Sequence, residues 1–393
     1  MTTDAEARLI AIDWGTSSCR AYLLGSSGAI LAQREEASGT MAVSARAANE
    51  AISRAVAFER AFDDLCEDWL RIEPALPVIA CGMVGSNHGW AEADYRNTPA
   101  EMADTGIRLT TVRTRTGRNV HIVPGLITGG TLPSVMRGEE TQILGALAAS
   151  GDGIPAHRAP GRGASQIVLL PGTHSKWVRV VGTVVSDFTT YMTGEVFALL
   201  SNESTLSRLA LKTVRSSWDA FDRGVEVAAS PAGAGGFLGT AFSARSLALT
   251  GELAREDILD YLSGLLIGDE IAGIGRTWLL DGERSVILCG ADELNSRYRR
   301  ALQRFGITVS REAQQSAAAG MWLTANAAGL LSERAAVVPS AMASGPEPEP
   351  KSEADAKSEA ETEAESDTKP SATEPQTPNP APHTERPSHD LPR

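Results

Sequence analysis

Two similar segments of the sequence carry residue types that bind phosphate. Gly15-Thr16-Ser17-Ser18 follows one short apolar run, and Gly172-Thr173-His174-Ser175 follows another. Backbone N–H groups and side-chain hydroxyls donate hydrogen bonds to phosphate oxygens, and a glycine lets the anion approach the backbone closely. Two such loops that face each other across a cleft could hold the phosphates of a nucleotide from opposite sides.

The two loops belong to a longer internal repeat. A shift of 157 positions places Gly15 on Gly172 and Gly25 on Gly182, with no gap between them. In each unit an apolar strand, the loop, a second strand, a glycine turn and a third strand follow one another, which predicts a duplicated supersecondary unit. The predicted strands are 9–14, 20–24 and 29–32 in the first unit, and 166–170, 176–181 and 184–185 in the second.

Asp13 ends the first predicted strand, whereas the equivalent position in the second unit is Leu170. The two halves are therefore not chemically equivalent. A single carboxylate is enough to hold a hydrated Mg²⁺ ion, because Mg²⁺ keeps most of its water ligands. We predict Asp13 as the metal-binding residue, and the alternative is an aspartate that only caps a helix or a turn.

The composition bounds the class of protein. The chain has 393 residues with 36 Lys and Arg against 49 Asp and Glu, a net charge of −13, and it has no dense basic cluster that would favour nucleic acid. Four cysteines without a C-x-x-C pair suit a reducing compartment. We see no secretory signal and no apolar stretch near 20 residues, and we predict a cytoplasmic protein with no membrane or nucleic-acid partner.

The chain divides by composition. We predict an N-terminal domain over 1–150, a polar connector over 151–165, a second domain over 166–338 and a disordered tail over 339–393. The tail is rich in Glu and Pro and has no aromatic residue, so it cannot form a hydrophobic core. Further predicted elements are helices at 47–70, 139–149, 242–249, 255–273, 294–305 and 317–331, and strands at 77–81, 120–123 and 285–289.

These segments together resemble a known superfamily. Residues 13–18 are similar to the first phosphate motif of the actin/Hsp70/sugar-kinase ATPases, and 171–177 to the second; 288–292 resembles the adenosine motif, and 317–320 resembles the second connecting helix. A finer resemblance, from about residue 8 to 330, is to the 2-dehydro-3-deoxygalactonokinases. Its motifs are AIDWG (11–15), GMVGSNHGW (82–90), MRGEETQ (136–142), PGTHSKW (171–177), MTGE (192–195) and SGLLIG (263–268).

The resemblance implies an α/β fold of two RNase H-like, actin-like ATPase domains that face an inter-domain cleft. It also implies transfer of phosphate from ATP, with Mg²⁺, to the 6-hydroxyl of 2-dehydro-3-deoxy-D-galactonate in galactonate catabolism. The nucleotide would lie on Gly15, Thr16, Ser17 and Ser18, on Gly172, Thr173, His174 and Ser175, and on Gly290 and Ala291.

The resemblance also suggests the catalytic base. Carbohydrate kinases of the superfamily place an aspartate just before the second phosphate motif, where it accepts the proton of the attacking hydroxyl. Here that place holds Glu139 and Glu140. We favour Glu139, with Glu140 second. The alternative is that both acids only stabilise the N-terminus of a helix.

The remaining candidates would bind the sugar acid. Asn87, His88, Gly89 and Trp90 form a loop that is polar enough to contact sugar hydroxyls, with the Trp90 ring against the sugar. A carboxylate substrate calls for a cation, and the candidates are Arg137, His174 and Lys176. Lys176 could instead contact a phosphate, and Arg137 could pair with Glu139 or Glu140. Two further candidates, Thr193 and Glu195, follow another strand end.

Two other functions stay open at this point. The first is a kinase for another sugar or sugar acid, such as 2-dehydro-3-deoxygluconate. The second is a regulatory protein of the actin/Hsp70 type, in which ATP drives a conformational change without an acceptor. The oligomeric state is open too, and a homodimer is one possibility.

Overall fold

The computed structural model describes residues 6–102, 104, 108–148, 165–213, 215–278, 284–314 and 316–331, which carry three sheets and ten α-helices. All of them fall within one compact unit, 1–337. The predicted tail at 339–393 lies outside the described residues. So does the predicted connector at 151–165, except for Ser165, which begins a strand.

The first sheet grows from the apolar segment that ends at Trp14. Its strand order is β3-β2-β1-β4-β8-β7. β1 pairs antiparallel with β2 and parallel with β4, and β2 pairs antiparallel with β3. The strands are β1 (Leu9–Trp14), β2 (Cys19–Leu24), β3 (Ile30–Glu36), β4 (Val78–Gly82), β7 (Thr110–Arg113) and β8 (Asn119–Ile122).

The second sheet repeats this pattern of pairing. Its order is β15-β14-β11-β12-β13-β6, with β11 antiparallel to β12 and parallel to β14. The predicted duplication of a three-stranded unit is therefore confirmed. The strands are β6 (Ala100–Glu101), β11 (Ser165–Leu170), β12 (Ser175–Val181), β13 (Val184–Tyr191), β14 (Ser285–Cys289) and β15 (Thr308–Ala313).

A small third sheet was not predicted. It consists of β5 (Tyr95–Asn97), β9 (Gly125–Thr128) and β10 (Ser134–Met136). Side chains tie it to β13 of the second sheet: Thr128 donates a hydrogen bond to Asp187 at 2.9 Å, and the Ser134 and Thr190 hydroxyls are 2.6 Å apart. β6, although it comes from the first half of the sequence, also pairs with β13.

The predicted helix over 47–70 is two helices in the structure. The break lies at residues 50–53, where Ala51 has a φ of 53°, and Ser53 then accepts a hydrogen bond from the Val56 N–H as the N-cap of the second helix. The helices are α1 (Thr40–Asn49), α2 (Arg54–Ile72), α3 (Glu139–Ala148), α4 (Thr193–Glu203), α5 (Trp218–Ala229), α6 (Phe237–Thr240), α7 (Ser243–Leu249), α8 (Ile258–Thr277), α9 (Asp292–Arg304) and α10 (Ser316–Ala327).

Both central strands are buried on their two faces, as expected for a strand between helical layers. On β1, Ile10 and Ile12 pack in a core with α2, while Leu9 and Ala11 pack against α10. On β11, Val168 and Leu170 pack against α3, while Ile167 and Leu169 pack in a core with α5, α8 and α9.

Helices α3 and α10 are exchanged between the two sheets. α3 follows the first sheet in the sequence but packs on the second, and α10 follows the second sheet but packs on the first. The two helices cross in close contact. A Cβ atom at Gly145 would overlap the Ser316 carbonyl oxygen, and one at Gly320 would overlap the Thr141 carbonyl oxygen. Two glycines therefore permit the backbones to touch.

No helix in the described part of the chain is both long enough and apolar enough to cross a lipid bilayer.

The crossing predicts a stability effect. Gly320→Ala should lower the free energy of unfolding by about 1 to 3 kcal/mol, because the new methyl group meets backbone atoms of α3 that cannot move aside. Gly275→Ala is the matched control in α8, where a Cβ meets no atom within 4 Å, and it should stabilise by about 0.5 to 1 kcal/mol. Urea unfolding measures both variants, and equal stability of Gly320→Ala and the parent would contradict the close crossing.

Candidate active site

One cavity, here called the cleft, has a volume of about 500 Å³ and is lined by part of each predicted phosphate loop: Gly15 and Thr16 of the first, and Gly172, Thr173 and His174 of the second. Ser17, Ser18 and Ser175 do not line it. The cleft lies where the carboxyl ends of β1 and β11 meet, so both loops project from equivalent positions of the duplicated unit. Its main polar and loop residues are Asp13, Gly15, Thr16, Tyr95, Arg137, Gly138, Glu139, Gln142, Gly172, Thr173, His174 and Lys176.

The first loop is held against the N-terminus of α1. The N–H groups of Thr40 and Met41 donate to the carbonyls of Gly15 and Thr16 at 3.0 and 3.2 Å, and the Gly15 N–H donates to the Ser18 carbonyl at 2.9 Å. Thr16 and Ser17 remain exposed, while Ser18 is half-buried. Thr16 therefore offers an exposed hydroxyl to the cleft.

The second loop rests on the N-terminus of α4. The Glu195 N–H donates to the Thr173 carbonyl at 2.9 Å, and a Cβ at Gly194 would overlap the Gly172 carbonyl oxygen. The His174 imidazole hydrogen-bonds the Glu195 carboxylate. A helix N-terminus carries a partial positive charge, so this support favours an anion at the loop.

Asp13 lies at the floor of the cleft at the end of β1. Burial raises the pKa of this carboxyl to about 6, with Arg20 lowering it and the charge of Glu139 raising it further. Among the described residues its carboxylate accepts only a weak hydrogen bond, from the Cys81 thiol at 3.9 Å. The oxygen atoms of Asp13 are thus free to take a hard cation such as Mg²⁺.

Glu139 opens α3 and faces the cleft. One carboxylate oxygen lies 2.9 Å from the Lys176 ammonium, and the other accepts the Arg137 backbone N–H at 3.0 Å. Lys176 also donates to the His174 carbonyl at 2.8 Å. The two contacts fix the orientation of Glu139 and leave it partly exposed to the cleft.

Glu140 is fully buried and faces away from the cleft. It accepts hydrogen bonds from the Gly138 N–H at 2.6 Å and the Thr141 hydroxyl at 3.1 Å. Burial, with the neighbouring charge of Glu139, raises the pKa of Glu140 to about 7. These contacts support the turn at Gly138, where φ is 109°, and they suit a structural role better than the predicted second choice as base.

A carboxylate that the sequence analysis missed organises the second loop. Glu270 on α8 is buried and accepts hydrogen bonds from Ser175 at 2.8 Å, Trp177 at 2.7 Å and Tyr298 at 2.7 Å, and another from Thr193. Ser175 is thereby turned into the interior, which corrects its predicted role as a phosphate ligand. Thr193 is buried too, so its hydroxyl supports the start of α4.

The loop of residues 87–90 differs from its prediction. The Trp90 side chain is 8 % exposed and packs against Trp14, Phe58 and Phe62 in the core of the first half. This corrects the expectation that its ring lies against a sugar. The tight turn around Gly89, where a Cβ would overlap the Val84 carbonyl oxygen, draws Trp90 inward.

Asn87 and His88, in contrast, are exposed. Neither of them lines the cleft or the two cavities that adjoin it.

Two further cavities adjoin the cleft and share lining residues with it. One, of about 410 Å³, is polar, contains Asp13 and Pro171, and reaches Gly290 and Ala291. The other, of about 360 Å³, is mainly apolar and shares Gly172 with the cleft and Ala291 with the polar cavity. Its apolar side chains are Phe197, Leu266, Ile267 and Leu294. The predicted positions Gly290 and Ala291 therefore lie beside the predicted phosphate loops.

The duplicated sheets and their facing loops confirm the predicted class, an α/β fold of two RNase H-like halves in the actin-like ATPase arrangement. Comparison with known proteins then gives the family. The family model described as 2-keto-3-deoxy-galactonokinase matches residues 13–324, and the chain belongs to that family.

Individual relatives agree with this assignment. The chain is 37 % identical over 326 residues to a probable 2-dehydro-3-deoxygalactonokinase of Rhizobium meliloti (strain 1021), covering 81 % of this chain and 96 % of the relative. It is 36 % identical over 313 residues to the 2-dehydro-3-deoxygalactonokinase of Escherichia coli (strain K12), covering 79 % and 94 %. The crystal structure of a Sinorhizobium meliloti protein provisionally assigned the same activity is 35 % identical, has a TM-score of 0.66, and is matched over 81 % of this chain and 98 % of that one.

The buried Glu140 predicts a pH effect on stability. Its pKa is raised on folding, so the native state holds the proton of Glu140 more tightly than the unfolded state does. The contribution of Glu140 to the free energy of unfolding therefore falls as pH rises from about 4.5 through 7. In Glu140→Gln this loss is absent. The variant should therefore gain roughly 2 to 3 kcal/mol relative to the parent between pH 4.5 and pH 8, measured by urea unfolding at both pH values. A constant difference between the two proteins would show that Glu140 titrates normally.

Proposed function

We propose that this protein transfers the γ-phosphoryl group of ATP to the 6-hydroxyl of 2-dehydro-3-deoxy-D-galactonate, giving 2-dehydro-3-deoxy-6-phospho-D-galactonate and ADP. The observation that carries the proposal is that two glycine–threonine loops and the Glu139 carboxylate line one cleft. The relatives named 2-dehydro-3-deoxygalactonokinase supply the substrate, since they match the chain over nearly their whole length. A reaction that consumes ATP also fits the predicted cytoplasmic location.

The row of cavities suggests how ATP lies. The adenine ring would enter the apolar cavity between Phe197 and Leu294, next to the Ala291 backbone. The phosphates would then extend through the cleft, from Gly172 and Thr173 towards Gly15 and Thr16. Apolar side chains suit a planar base, and backbone N–H groups at loops and helix N-termini suit phosphate.

Mg²⁺ fits the residues that are present. Asp13 offers a carboxylate with no strong hydrogen-bond donor beside it among the described residues, at the point where the polar cavity and the cleft share lining. When bound, the ion would neutralise charge on the phosphate oxygens. Asp13 would hold it through water or directly, and ionisation of the carboxyl at pH values above about 6 favours this.

Glu139 is the base that we propose for the acceptor hydroxyl. It faces the cleft with a fixed orientation, because Lys176 and the Arg137 backbone N–H hold its two oxygens. In phosphoryl transfer positioning contributes more than proton removal, so a fixed carboxylate that orients the hydroxyl towards the γ-phosphate suffices. Glu140 is proposed only to support the Gly138 turn.

The substrate assignment is tested by ADP release with two acceptors side by side. We expect 2-dehydro-3-deoxygalactonate to give a larger kcat/KM than its gluco epimer. ADP release with the gluco epimer alone would indicate the related sugar-acid kinase. Release that does not depend on any acceptor would instead indicate an ATPase of the regulatory type.

The base assignment is tested by a pair of neighbouring variants. Glu139→Gln should lower kcat by about two to four decades with ATP binding nearly unchanged, because the carboxylate that orients the hydroxyl is lost. Glu140→Gln is the matched control and should keep kcat within about tenfold of the parent. Steady-state kinetics with saturating ATP distinguish them, and normal turnover of Glu139→Gln would exclude Glu139 as the base.

A further inference from the structure

Arg137 lines the cleft, and its buried guanidinium has no acidic partner among the described residues. Arg137 is 8 % exposed, its Nη2 donates to the Ala93 carbonyl at 2.7 Å, and its Cζ lies 4.2 Å from the centre of the Tyr95 ring. Its Nε and Nη1 atoms have no hydrogen-bond partner among the described residues. No described carboxylate lies within 4 Å of the guanidinium either.

Such an arrangement is unfavourable in isolation. A guanidinium stays protonated and carries five N–H donors, and burying its charge without an anion is costly. Stacking on Tyr95 and one backbone carbonyl offset only part of that cost. A ligand anion that completes the hydrogen bonding of Arg137 would offset more, and a carboxylate matches the planar guanidinium well.

The other two candidates in the cleft already have acidic partners. Lys176 pairs with Glu139 at 2.9 Å and also donates to a backbone carbonyl. His174 pairs with Glu195. Of the three side chains that the sequence analysis left as equal candidates, Arg137 is therefore the one without an acidic partner within the described residues.

The position of Arg137 in the chain also suits one end of a six-carbon acid. Arg137 and Glu139 are two residues apart, so their backbones lie within about 7 Å of each other. Both residues also line the cleft, so a six-carbon acid held at its carboxylate by Arg137 would lie in the same cavity as Glu139.

We infer that Arg137 binds the carboxylate of the acceptor and makes the enzyme select sugar acids over neutral sugars. This inference rests on the proposed kinase function. In this structure the Nε and Nη1 atoms are enclosed. A carboxylate would reach the guanidinium from the side of Tyr95, which stacks on it, lines the same cleft and is 40 % exposed.

The test compares two acceptors, 2-dehydro-3-deoxygalactonate and its neutral C1 amide, in an ADP-release assay with the full chain. In Arg137→Met, kcat/KM for the acid should fall by about 10²- to 10³-fold, because charge-assisted hydrogen bonds are lost. For the amide, kcat/KM should stay within about threefold. The preference of the parent for the acid over the amide should therefore largely disappear.

Arg34→Met is the matched control. Arg34 also stacks on an aromatic ring, with its Cζ 4.6 Å from the centre of Trp69, and donates to the Leu65 carbonyl at 2.8 Å. It pairs with Asp68 on α2 and does not line the cleft. The acid-over-amide preference of this variant should equal that of the parent protein.

The outcomes separate the inference from the proposed function. A parent protein that does not phosphorylate the acid refutes the proposed function. A parent that uses acid and amide equally, or an active Arg137→Met that keeps the preference, overturns the inference alone. If Arg137→Met does not fold, Arg137→Lys is tested instead, since it keeps the charge but loses the planar donors. A fall of at least tenfold in kcat/KM for the acid, with kcat/KM for the amide unchanged, supports the inference. An unchanged kcat/KM for the acid overturns it.

Discussion

The direct contact between α3 and α10 is the constraint on which the rest of the structure depends. Each helix follows one sheet and packs on the other, and Gly145 and Gly320 let the two backbones touch. The repeated halves are therefore in direct contact near the ends of β1 and β11, where the predicted phosphate loops emerge. Because α3 starts with Glu139, the same contact that joins the halves also sets where the proposed base lies.

Several charged side chains lie around that contact, and only some of them are paired with a group of opposite charge in the described chain. Asp13, Glu139 and Glu140 lie close enough for their charges to interact, and burial raises the pKa of the first and the last to about 6 and 7. Lys176 pairs with one acid, whereas Arg137 pairs with none in the described chain. A site whose carboxylate oxygens and guanidinium are only partly paired among the described residues is suited to bind a metal–phosphate group and an organic acid at the same time.

Much of this arrangement could be predicted from local patterns. Strands β1 and β14 have the predicted bounds, and α3 begins at its predicted first residue, because apolar runs bounded by glycine or proline are strong signals. The contacts of Glu270 could not be predicted, since its partner Ser175 is 95 positions away and a single glutamate in an apolar helix has no local signal.

Trp90 was misjudged because its neighbours Asn87 and His88 are polar, while the turn at Gly89 points its ring into the core. The two- to four-residue strands β5, β6, β9 and β10 are too short for periodicity to show.

The attachment of the small sheet to β13 has a mechanical consequence for a kinase that must admit and release its substrates. Through β6 and the Thr128–Asp187 contact, a piece of the first half of the sequence is fastened to the second sheet. Arg137 and Glu139 follow directly from this piece, whereas Asp13 belongs to the first sheet. If the halves moved apart, Arg137 and Glu139, which we propose to contact the acceptor, would move with the second sheet, whereas Asp13, the proposed metal ligand, would stay with the first. The boundary of such a movement would then pass through the proposed acceptor site instead of along the boundary of the sequence repeat.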